Sequence, residues 1–281
     1  MLAIVTGASR GLGRLCAREL AAHGVNLLLV ARDQMALAGV AGEIGVKYPS
    51  REVTTLDCDL GDPNAPQRVR EAAVQLGQVD ILVNNAAIQG PIGPAWEVPW
   101  REFEEALRLD FLVPVALCRA LVPTMKAIGR GWIINISGGG ATGPRPMFTA
   151  YAAAKTALVR FTETLAIETA RDGIRVNAVA PVAFASGMTK VVRSSAKNAG
   201  EAEAATAQEL LDCEDTANAE KAARLVVYLT VGKGRDVTGK LISAVWDRWD
   251  SFYRYPEVMA HKDVFTLRRI LPKERNLRLD E

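Results

Sequence analysis

Tyr151 and Lys155 are the two residues whose types and spacing most directly predict chemistry in this sequence. Residues four apart on a helix share one face, and the segment from Tyr151 to Arg171 has a helical pattern. Free tyrosine has a pKa of about 10, too high for a base at neutral pH, but a nearby ammonium lowers it by favouring the phenolate. The pair therefore predicts a general acid and base: Tyr151 would protonate an alkoxide in reduction and deprotonate an alcohol in oxidation.

A glycine-rich turn near the start of the chain predicts a dinucleotide site. The stretch VTGASRGLG, residues 5–13, follows a strand pattern and opens a helix pattern. Glycines there permit a tight turn and a close backbone approach to a pyrophosphate, which also meets the free N–H groups of the helix. The predicted cofactor contacts from this turn are Gly7, Ser9, Arg10, Gly11, Leu12 and Gly13.

The end of the second strand predicts which dinucleotide is bound. An NAD site would place an acid there, about 20 residues past the glycines, to bind the ribose 2′-hydroxyl. Here Ala31 holds that position and Arg32 follows. The Arg32 guanidinium can hold a 2′-phosphate by charge-assisted hydrogen bonds. Arg10 could bind the same phosphate from the other side. Although Asp33 could partner Arg32, the pattern favours NADP over NAD.

Short apolar runs alternate with amphipathic segments along residues 1–245, which predicts an α/β fold with a doubly wound parallel sheet. The candidate strands are 2–7, 26–31, 52–59, 80–86, 132–137, 174–181 and 240–245. Helical patterns cover Gly11 to His23, Asn64 to Gln75, Glu102 to Met125, Tyr151 to Arg171 and Asn218 to Thr230.

Composition narrows the classes of protein. The chain has 281 residues and a net charge of +2, without the clustered basic excess of a nucleic-acid binder. Its four cysteines form no CxxC and its two histidines suggest no metal site, so we expect reduced thiols and a cytoplasmic location. The first strand begins at Leu2, which leaves no room for a signal peptide. No apolar run reaches the roughly 18 residues of a membrane span.

These motifs make the chain similar to the short-chain dehydrogenase/reductase family over residues 1 to about 245. The resemblance rests on TGxxxGxG at Thr6 to Gly13, on Asp59 after the third strand, on NNAA at Asn84 to Ala87, and on YAAAK at Tyr151 to Lys155. It implies a Rossmann-type sheet of seven strands with helices on both faces. It also implies a cofactor site at the carboxyl ends of the strands, and hydride transfer between a nicotinamide and a carbonyl or alcohol.

The resemblance also implies residue roles. Asp59 and Leu60 would flank the adenine, and Asn84 and Ala86 would lie beside the adenosine ribose. Lys155 would bond the nicotinamide ribose as well as support Tyr151. Around the nicotinamide carboxamide it places Pro181, the backbone at Ala183 and Phe184, and the hydroxyl of Ser186.

One departure from the family concerns the hydroxyl donor that normally precedes the tyrosine by thirteen residues. Here that position is Gly138, and Ser137 lies one residue early, which in a strand points a side chain to the opposite face. The glycine run 138–140 could turn the backbone early and swing Ser137 into the site. Alternatively, backbone N–H groups or a water could polarise the carbonyl, or the donor could be lost. Thr142 and Thr149 are weaker candidates.

A second departure is Asp110, which stands where the family usually has an asparagine that supports a water linking the lysine to solvent. A carboxylate could hold the same water, or it could pair with Lys155 and hold its charge more firmly. A third departure is Val182, where the family prefers a glycine after the proline.

Two segments lie outside the strand and helix alternation. The stretch from about 188 to 211 falls where the family keeps a mobile substrate lid. Residues 246–281 form an aromatic and then charged extension. Its clustered aromatics would wall a substrate pocket or pack at an oligomer interface. The resemblance implies a homodimer or homotetramer formed through the helices beginning near Glu102 and Tyr151 and the strand at 240–245.

The sequence thus predicts an NADP-dependent oxidoreductase that acts on a ketone or a secondary alcohol. Tyr151 is the acid and base, Lys155 its modulator, Ser137 a provisional donor and Asp110 a supporting group. Two alternatives stay open. One is a cofactor-binding sensor or scaffold with little catalysis, and the other is a lyase or epimerase that retains its cofactor.

Overall fold

A computed structural model gives the fold and describes residues 1–277. The strands are β1 (Leu2–Thr6), β2 (Asn26–Ala31), β3 (Val53–Asp57), β4 (Val79–Asn84), β5 (Gly131–Ile136), β6 (Ile174–Ala180) and β7 (Leu241–Ser243). The larger helices are α1 (Gly11–Ala22), α2 (Gln34–Lys47), α3 (Ala65–Leu76), α4 (Trp100–Leu107), α5 (Val113–Ile128) and α6 (Thr149–Glu168). After β6 come α7 (Gly187–Ser194), α8 (Ala196–Ala199), α9 (Glu201–Asp212), α10 (Ala217–Thr230) and α11 (Pro256–Ala260).

The seven strands form one parallel sheet in the order β3-β2-β1-β4-β5-β6-β7. This confirms the predicted doubly wound, Rossmann-type architecture. The strand order reverses between β1 and β4, and the carboxyl ends of strands on either side of such a switch point form a crevice for ligands. The outer strands β3 and β7 are shorter than the predicted 52–59 and 240–245.

Helices cover both faces of the sheet, as the uninterrupted apolar strands require. One face packs against α1, α2 and α10, through side chains such as Leu20, Leu37 and Val226. The other face packs against α3, α5 and α6, through side chains such as Leu117 and Leu165.

Helix α2 has no counterpart among the predicted helices. Gly39, Gly42 and Gly45 lower its intrinsic helix propensity. Asp33 compensates at the first turn, because its carboxylate accepts a hydrogen bond of 2.9 Å from the Ala36 backbone N–H. A cap of this kind stabilises a helix by about 1 kcal/mol.

The segments α4 and α5 join into one continuous helix, Trp100–Ile128, of 29 residues. By length and composition this helix could cross a membrane, contrary to the expectation that no apolar run is long enough. Core helices of water-soluble proteins have the same composition. Here α5 contributes Leu117, Leu121 and Met125, all fully buried, to the core under the sheet.

The extension after β7 folds back onto its own domain. Trp249 packs on Tyr228 of α10 with ring centroids 5.4 Å apart, and Phe252 packs on Phe265 at 5.0 Å. The Leu241 backbone N–H donates to the Phe265 carbonyl at 2.8 Å. This segment therefore covers the edge of β7, the strand that the resemblance assigns to a subunit interface. Positions 278–281 of the extension lie outside the described residues.

Candidate active site

The turn between β1 and α1 is shaped by glycines that no other residue could replace. Gly7 and Gly11 have φ of +64° and +53°, which glycine adopts without steric penalty. A Cβ at Gly13 would lie 2.3 Å from the Gly7 carbonyl oxygen. No side chain caps α1, so its first N–H groups and positive dipole end remain available to an anion. The turn thus fits a pyrophosphate. Five of the six predicted contacts from it line the cleft, namely Gly7, Ser9, Arg10, Gly11 and Leu12, whereas Gly13 packs beneath the turn and does not line it.

The tip of β4 is tied to the tip of β1 beside this turn. The Thr6 hydroxyl accepts from the backbone N–H groups of Asn85 and Ala86 at 2.9 and 3.1 Å. The Asn85 side chain donates to the Thr6 carbonyl at 2.8 Å. Both Asn85 and Ala86 line the cleft, and the place of Ala86 beside a ribose stays a prediction.

The side chain of Asn84 does not reach the cleft, which corrects its predicted place beside a ribose. It donates to the Asn135 side-chain oxygen at 2.8 Å and is buried in the sheet interior. Asn135 in turn donates to the Thr162 hydroxyl of α6 at 2.8 Å. Alternation along β4 explains the difference, because consecutive side chains point to opposite faces, and the next residue, Asn85, is the one that turns to the cleft.

Arg32, directly after β2, lies at the rim of the cleft. Asp33 is engaged in capping α2, and none of the ion pairs among residues 1–277 involves Arg32. The competition that the sequence suggested between Asp33 and a phosphate is therefore not seen. Arg10 also lines the cleft, but it lies toward Gly187, where a Cβ would be 3.7 Å from its Cζ.

Asp59 and Leu60 line the same end of the cleft as Arg32. The Asp59 carboxylate accepts from the Gly61 backbone N–H at 2.9 Å, which fixes the loop after β3. Leu60 is buried and offers the cleft an apolar wall.

Tyr151 and Lys155 lie together on α6 at the other end of the cleft. The Lys155 ammonium is 5.5 Å from the Tyr151 ring centroid. It donates to the Ile136 carbonyl at 3.1 Å and lies 3.4 Å from Asp110 Oδ2, with the two side chains 3% and 0% exposed. Of the two roles predicted for Asp110, the structure thus shows the ion pair with Lys155. Asp110 reaches the site through Lys155 and does not line the cleft.

A single π-helical turn, Arg108–Leu112, places Asp110 against Lys155. Its cause is Pro114, whose ring would clash with the carbonyl of Asp110 in a regular helix and which has no N–H to donate to it. The helix widens instead, and the Val113 N–H bonds to the Arg108 carbonyl five residues back. The second carboxylate oxygen, Oδ1, accepts from the Ile88 backbone N–H at 2.9 Å.

The direction of the Tyr151 pKa differs from the one that the sequence predicts. Burial raises the pKa of Tyr151, Asp110 raises it further, and the Arg145 guanidinium opposes the rise. Lys155 is not among the groups that shift the pKa of Tyr151, so the lowering expected from its ammonium is not seen. Burial also raises the pKa of Asp110, against the opposing effects of Lys155 and the Ile88 N–H. Tyr151 is therefore a phenol in this site.

Position 138 has no hydroxyl and no room for one. A Cβ on Gly138 would lie 2.1 Å from the Tyr151 hydroxyl oxygen, so the tyrosine fills the space of the missing side chain. The early turn proposed for Ser137 does not occur. Its N–H still bonds to Val179 of β6 at 2.8 Å, and of the three glycines at 138–140 only Gly140 has a positive φ, +91°.

The Ser137 side chain lines the cleft and is 1% exposed. Its hydroxyl has no hydrogen-bond partner among the described residues. Thr142 and Thr149 are the weaker candidates for the missing hydroxyl donor. Thr142 lines the cleft and Thr149 does not.

The loop after β6 carries the predicted nicotinamide-side residues, Pro181, Ala183, Phe184 and Ser186, and all four line the cleft. Val182 has φ +64°, which is strained for a β-branched residue by roughly 1–3 kcal/mol and explains the family's preference for glycine there. Ser186 caps α7 through the Thr189 N–H at 3.2 Å, and its hydroxyl also lies 2.9 Å from the Thr189 hydroxyl.

The helices after β6 border the cleft, because residues of α7 and α9 line it. Arg145, from the loop between β5 and α6, forms two bonds of 2.8 Å to Glu203 of α9. Its guanidinium also stacks 3.8 Å from the Phe148 ring centroid. Beneath this pair, Phe148 packs with Ile92, Val192, Ala199 and Ala207 in a small apolar cluster. The segment from about 188 to 211 thus borders the cleft, and its role as a mobile substrate lid stays a prediction.

The cleft has a volume of about 1520 Å³, above the roughly 300–1,000 Å³ that suits a drug-sized ligand. It runs without interruption from Arg32 to Tyr151 and has room for a dinucleotide and a second molecule. Sequence reasoning missed several of its residues, including Asn85, Gln89, Arg145, Glu203 and Asp247. Trp246 of the extension, which is 77% exposed, also lines it.

Comparison with known proteins agrees with this geometry. The sequence model of the short chain dehydrogenase family matches residues 1–197. A human relative, dehydrogenase/reductase SDR family member 4, is 35% identical over 185 residues, which are 64% of this chain and 64% of the relative. The match therefore spans just under two thirds of that relative's length.

Two solved structures of similar proteins contain a nicotinamide cofactor. One is a metagenomic short-chain oxidoreductase in complex with NADP, 35% identical, with a TM-score of 0.62 over 64% of this chain and 81% of that one. The other is L-sorbose reductase from Gluconobacter frateurii with NADPH and L-sorbose, 29% identical, with a TM-score of 0.76 over 86% and 94%. With the family model covering most of the sheet, the chain belongs to the short-chain dehydrogenase/reductase family.

Proposed function

We propose that this protein is an NADP-dependent oxidoreductase that interconverts a ketone and a secondary alcohol, and that it favours reduction. One observation carries the proposal: a continuous cleft joins an anion-binding glycine turn to a buried Tyr151–Lys155 pair. Two similar proteins of known structure bind NADP or NADPH, which supports the same choice of cofactor here.

The residues present fit the cofactor at each end. The turn at Gly7 and Gly13 would cradle the pyrophosphate, because any Cβ there would collide with backbone or with Asn85. Arg32, which has no carboxylate partner among residues 1–277, would hold the 2′-phosphate. Lys155 and the loop at 181–186 would face the nicotinamide end. When bound, the reduced cofactor would supply a hydride to the substrate carbon.

Tyr151 would deliver the proton to the substrate oxygen as that hydride arrives. Its burial and the nearby Asp110 both raise the pKa of Tyr151, so the group is protonated at neutral pH and ready to act as an acid. The reverse reaction needs the phenolate and would gain from alkaline conditions. The buried Asp110–Lys155 pair thus favours carbonyl reduction, in line with the usual role of NADPH as a reductant.

The substrate class is a small neutral carbonyl compound. The lid and the loops around Tyr151 contribute Ile88, Met188, Val192 and Leu210 to the cleft, which are apolar. The two cations beside the tyrosine among the lining groups are already paired, Lys155 with Asp110 and Arg145 with Glu203. An uncharged ketone needs no counter-ion there.

The test is NADPH and NADH oxidation with a panel of diketones and simple ketones, with Tyr151→Phe beside the wild type. We expect turnover selective for NADPH that is lost in the variant while NADPH binding is kept. Full turnover by Tyr151→Phe would refute the mechanism. Tight NADPH binding without turnover would favour the cofactor-binding sensor or scaffold, for which Gly138 is the motivating observation. Product formed without net NADPH use would favour the lyase or epimerase.

We further propose a cytoplasmic homo-oligomer. The four free cysteines suit a reducing compartment. Since residues near Phe265 cover the edge of β7, we expect subunits to meet through the α4–α5 helix and α6, where Leu112 and Ile167 are exposed. That arrangement predicts a homodimer in preference to a homotetramer, and light scattering would decide between them.

A further inference from the structure

Tyr151 lacks the neighbouring hydroxyl that would help it hold a substrate oxygen. Gly138 offers no side chain, and the Tyr151 hydroxyl already fills the space where one would be. A developing alkoxide is stabilised by preorganised donors, and the loss of one such donor typically lowers kcat by about 10²–10³-fold. A working reductase on this scaffold therefore requires a donor from another element.

Ser137 is poorly placed for the task. It remains in the strand ladder through its bond to Val179, one residue before Gly138 and further from the open end of the sheet. Its side chain is on the same face as Asn135, which bonds to Thr162 of α6, because both have odd positions in one extended strand. The residue that lies against the Tyr151 hydroxyl is Gly138, not Ser137.

Gln89 presents a donor on the loop between β4 and α4. Its side chain is 6% exposed and lines the cleft. Its amide nitrogen is buried without a hydrogen-bond partner among residues 1–277. A buried donor without a partner destabilises a fold by about 1–3 kcal/mol, so such a group is expected where a ligand completes the bond.

Both neighbours of Gln89 are held by the catalytic elements. Ile88 donates its N–H to Asp110 at 2.9 Å. Gly90 packs against α4 and α6 so closely that a Cβ on it would lie 2.7 Å from Ala106 and 3.8 Å from Ala150. Since Ala150 directly precedes Tyr151, these two contacts fix Gln89 beside the start of α6, on the tyrosine side of the cleft.

From this placement we propose that the Gln89 side-chain amide donates the hydrogen bond that holds the reacting oxygen of the substrate beside Tyr151. The inference rests on the reductase function proposed above and identifies its second oxygen contact. Gln89 forms and breaks no covalent bond. The hydride goes to the carbonyl carbon, the proton comes from Tyr151, and the amide stabilises the oxygen between them. A neutral amide suits both the ketone and the alcohol, since it can donate to one and accept from the other.

The first experiment compares Gln89→Met with the wild type, because methionine keeps the length of the side chain and removes the donor. We expect kcat for ketone reduction with NADPH to fall by about 10²-fold, while the NADPH dissociation constant stays the same. The melting temperature should stay the same or rise, because a buried donor without a partner is removed. A glutamine with a structural role would instead lower it.

Two further variants serve as controls. Gln75→Met makes the same chemical change on an exposed site of α3 and should leave turnover at the wild-type level. Ser137→Ala tests the competing hydroxyl. The proposal would be overturned if Ser137→Ala lost kcat while Gln89→Met kept kcat within about threefold of the wild type. A threefold change is smaller than a typical hydrogen bond of about 1 kcal/mol would produce.

A binding measurement keeps this test separate from the reductase function itself. Ketone affinity is measured in the Tyr151→Phe background with NADPH bound, with and without Gln89→Met. A neutral hydrogen bond is worth about 0.5–1.5 kcal/mol, so we expect affinity to fall by about 3- to 10-fold. Equal affinity would refute the role of Gln89 even if reduction is confirmed. If Tyr151→Phe still turns over, the function proposed for Tyr151 fails while the affinity comparison still reports on Gln89.

Discussion

The two ends of the cleft are built by different means. At the proposed cofactor end, the contacts would come from backbone at Gly7 to Gly13 and from Arg32, a cation at the rim. At the catalytic end, the groups are buried and engaged with each other: Lys155 with Asp110, and Arg145 with Glu203. The departures from the family pattern at Gly138, Asp110 and Val182 all occur at this second end.

This difference indicates at which end of the cleft the sequence can tolerate substitutions. A pyrophosphate cradle made of N–H groups has no side chains to exchange, and added atoms collide with backbone. A site made of paired side chains can redistribute its roles, because one donor or one charge partner can be replaced by another nearby. Substituting one glycine at each end tests the contrast directly.

The largest effect is expected for Gly13→Ala at the cofactor end. The new Cβ would lie 2.3 Å from the Gly7 carbonyl oxygen and 2.6 Å from the Asn85 side-chain nitrogen, so the Gly7 backbone would have to shift. We expect NADPH binding, followed by fluorescence titration, to be lost along with all turnover. Gly45→Ala on α2 is the matched control, since nothing lies within 4 Å of its Cβ position, and it should raise stability by about 0.5–1 kcal/mol. Retained tight binding in Gly13→Ala would contradict the cradle.

The second effect concerns Gly138→Ala at the catalytic end. Here the new methyl meets the Tyr151 hydroxyl at 2.1 Å, which must move away from the substrate oxygen. We expect kcat to fall by about 10²-fold, comparable to a 1 Å misplacement of a reacting group, with NADPH binding unchanged. Gly143→Ala in the same loop has open space around its Cβ and should behave as wild type. Equal loss in both variants would instead implicate loop flexibility.

Next in size is the choice between NADPH and NADH. Replacing Arg32 with glutamine removes one charge-assisted contact to the 2′-phosphate, which is worth about 1.5–3 kcal/mol. We expect kcat/KM for NADPH to fall about 10- to 100-fold while that for NADH barely changes. Arg10→Gln should have a smaller effect, because Arg10 lies toward Gly187. An equal fall in kcat/KM for both cofactors would show that Arg32 has a structural role instead.

A smaller change in rate, but a change in pH profile, is expected for Asp110→Asn. Asp110 raises the pKa of Tyr151, and removing its charge leaves the Lys155 ammonium uncompensated, which favours the phenolate. The pKa of Tyr151 should therefore fall. Alcohol oxidation, which needs the phenolate, should then begin at lower pH, and ketone reduction, which needs the phenol, should decline at lower pH. An unchanged pair of pH–rate profiles would show that Asp110 does not act on Tyr151.

That variant needs a stability control, since the site is buried. Asparagine can keep the hydrogen bond from the Ile88 N–H, whereas Asp110→Leu loses both contacts. Removing one partner of a buried pair can destabilise a protein by about 3–5 kcal/mol. Thermal unfolding of the two variants separates the loss of charge from the loss of structure.

The same contrast explains what could be predicted from the sequence. The sheet and the cofactor turn follow from local pattern, because apolar strands and a glycine turn need no distant partner to be recognised. The catalytic end depends on contacts between distant residues. The pairing of Asp110 with Lys155 and the raised pKa of Tyr151 arise only when β5, α6 and the α4–α5 helix meet. Gln89 gave no signal, because burial without a partner is visible only in three dimensions.

The smallest effect is expected at the lid. The Arg145–Glu203 pair holds α9 to the loop before α6 by two bonds of 2.8 Å, and the bond to Arg145 keeps the pKa of Glu203 below its usual value. Because the pair is partly exposed, Glu203→Gln should cost only about 0–1 kcal/mol. We expect the ketone KM to rise by up to about fivefold, with tryptic cleavage at Lys190 and Arg193 becoming faster as the lid opens more often.

The Arg14–Glu43 pair between α1 and α2 has a similar two-pronged geometry far from the lid, so Glu43→Gln is the control. If both variants shift KM and cleavage alike, the effect is general loosening of the fold; if only Glu203→Gln does, the pair closes the lid over the substrate.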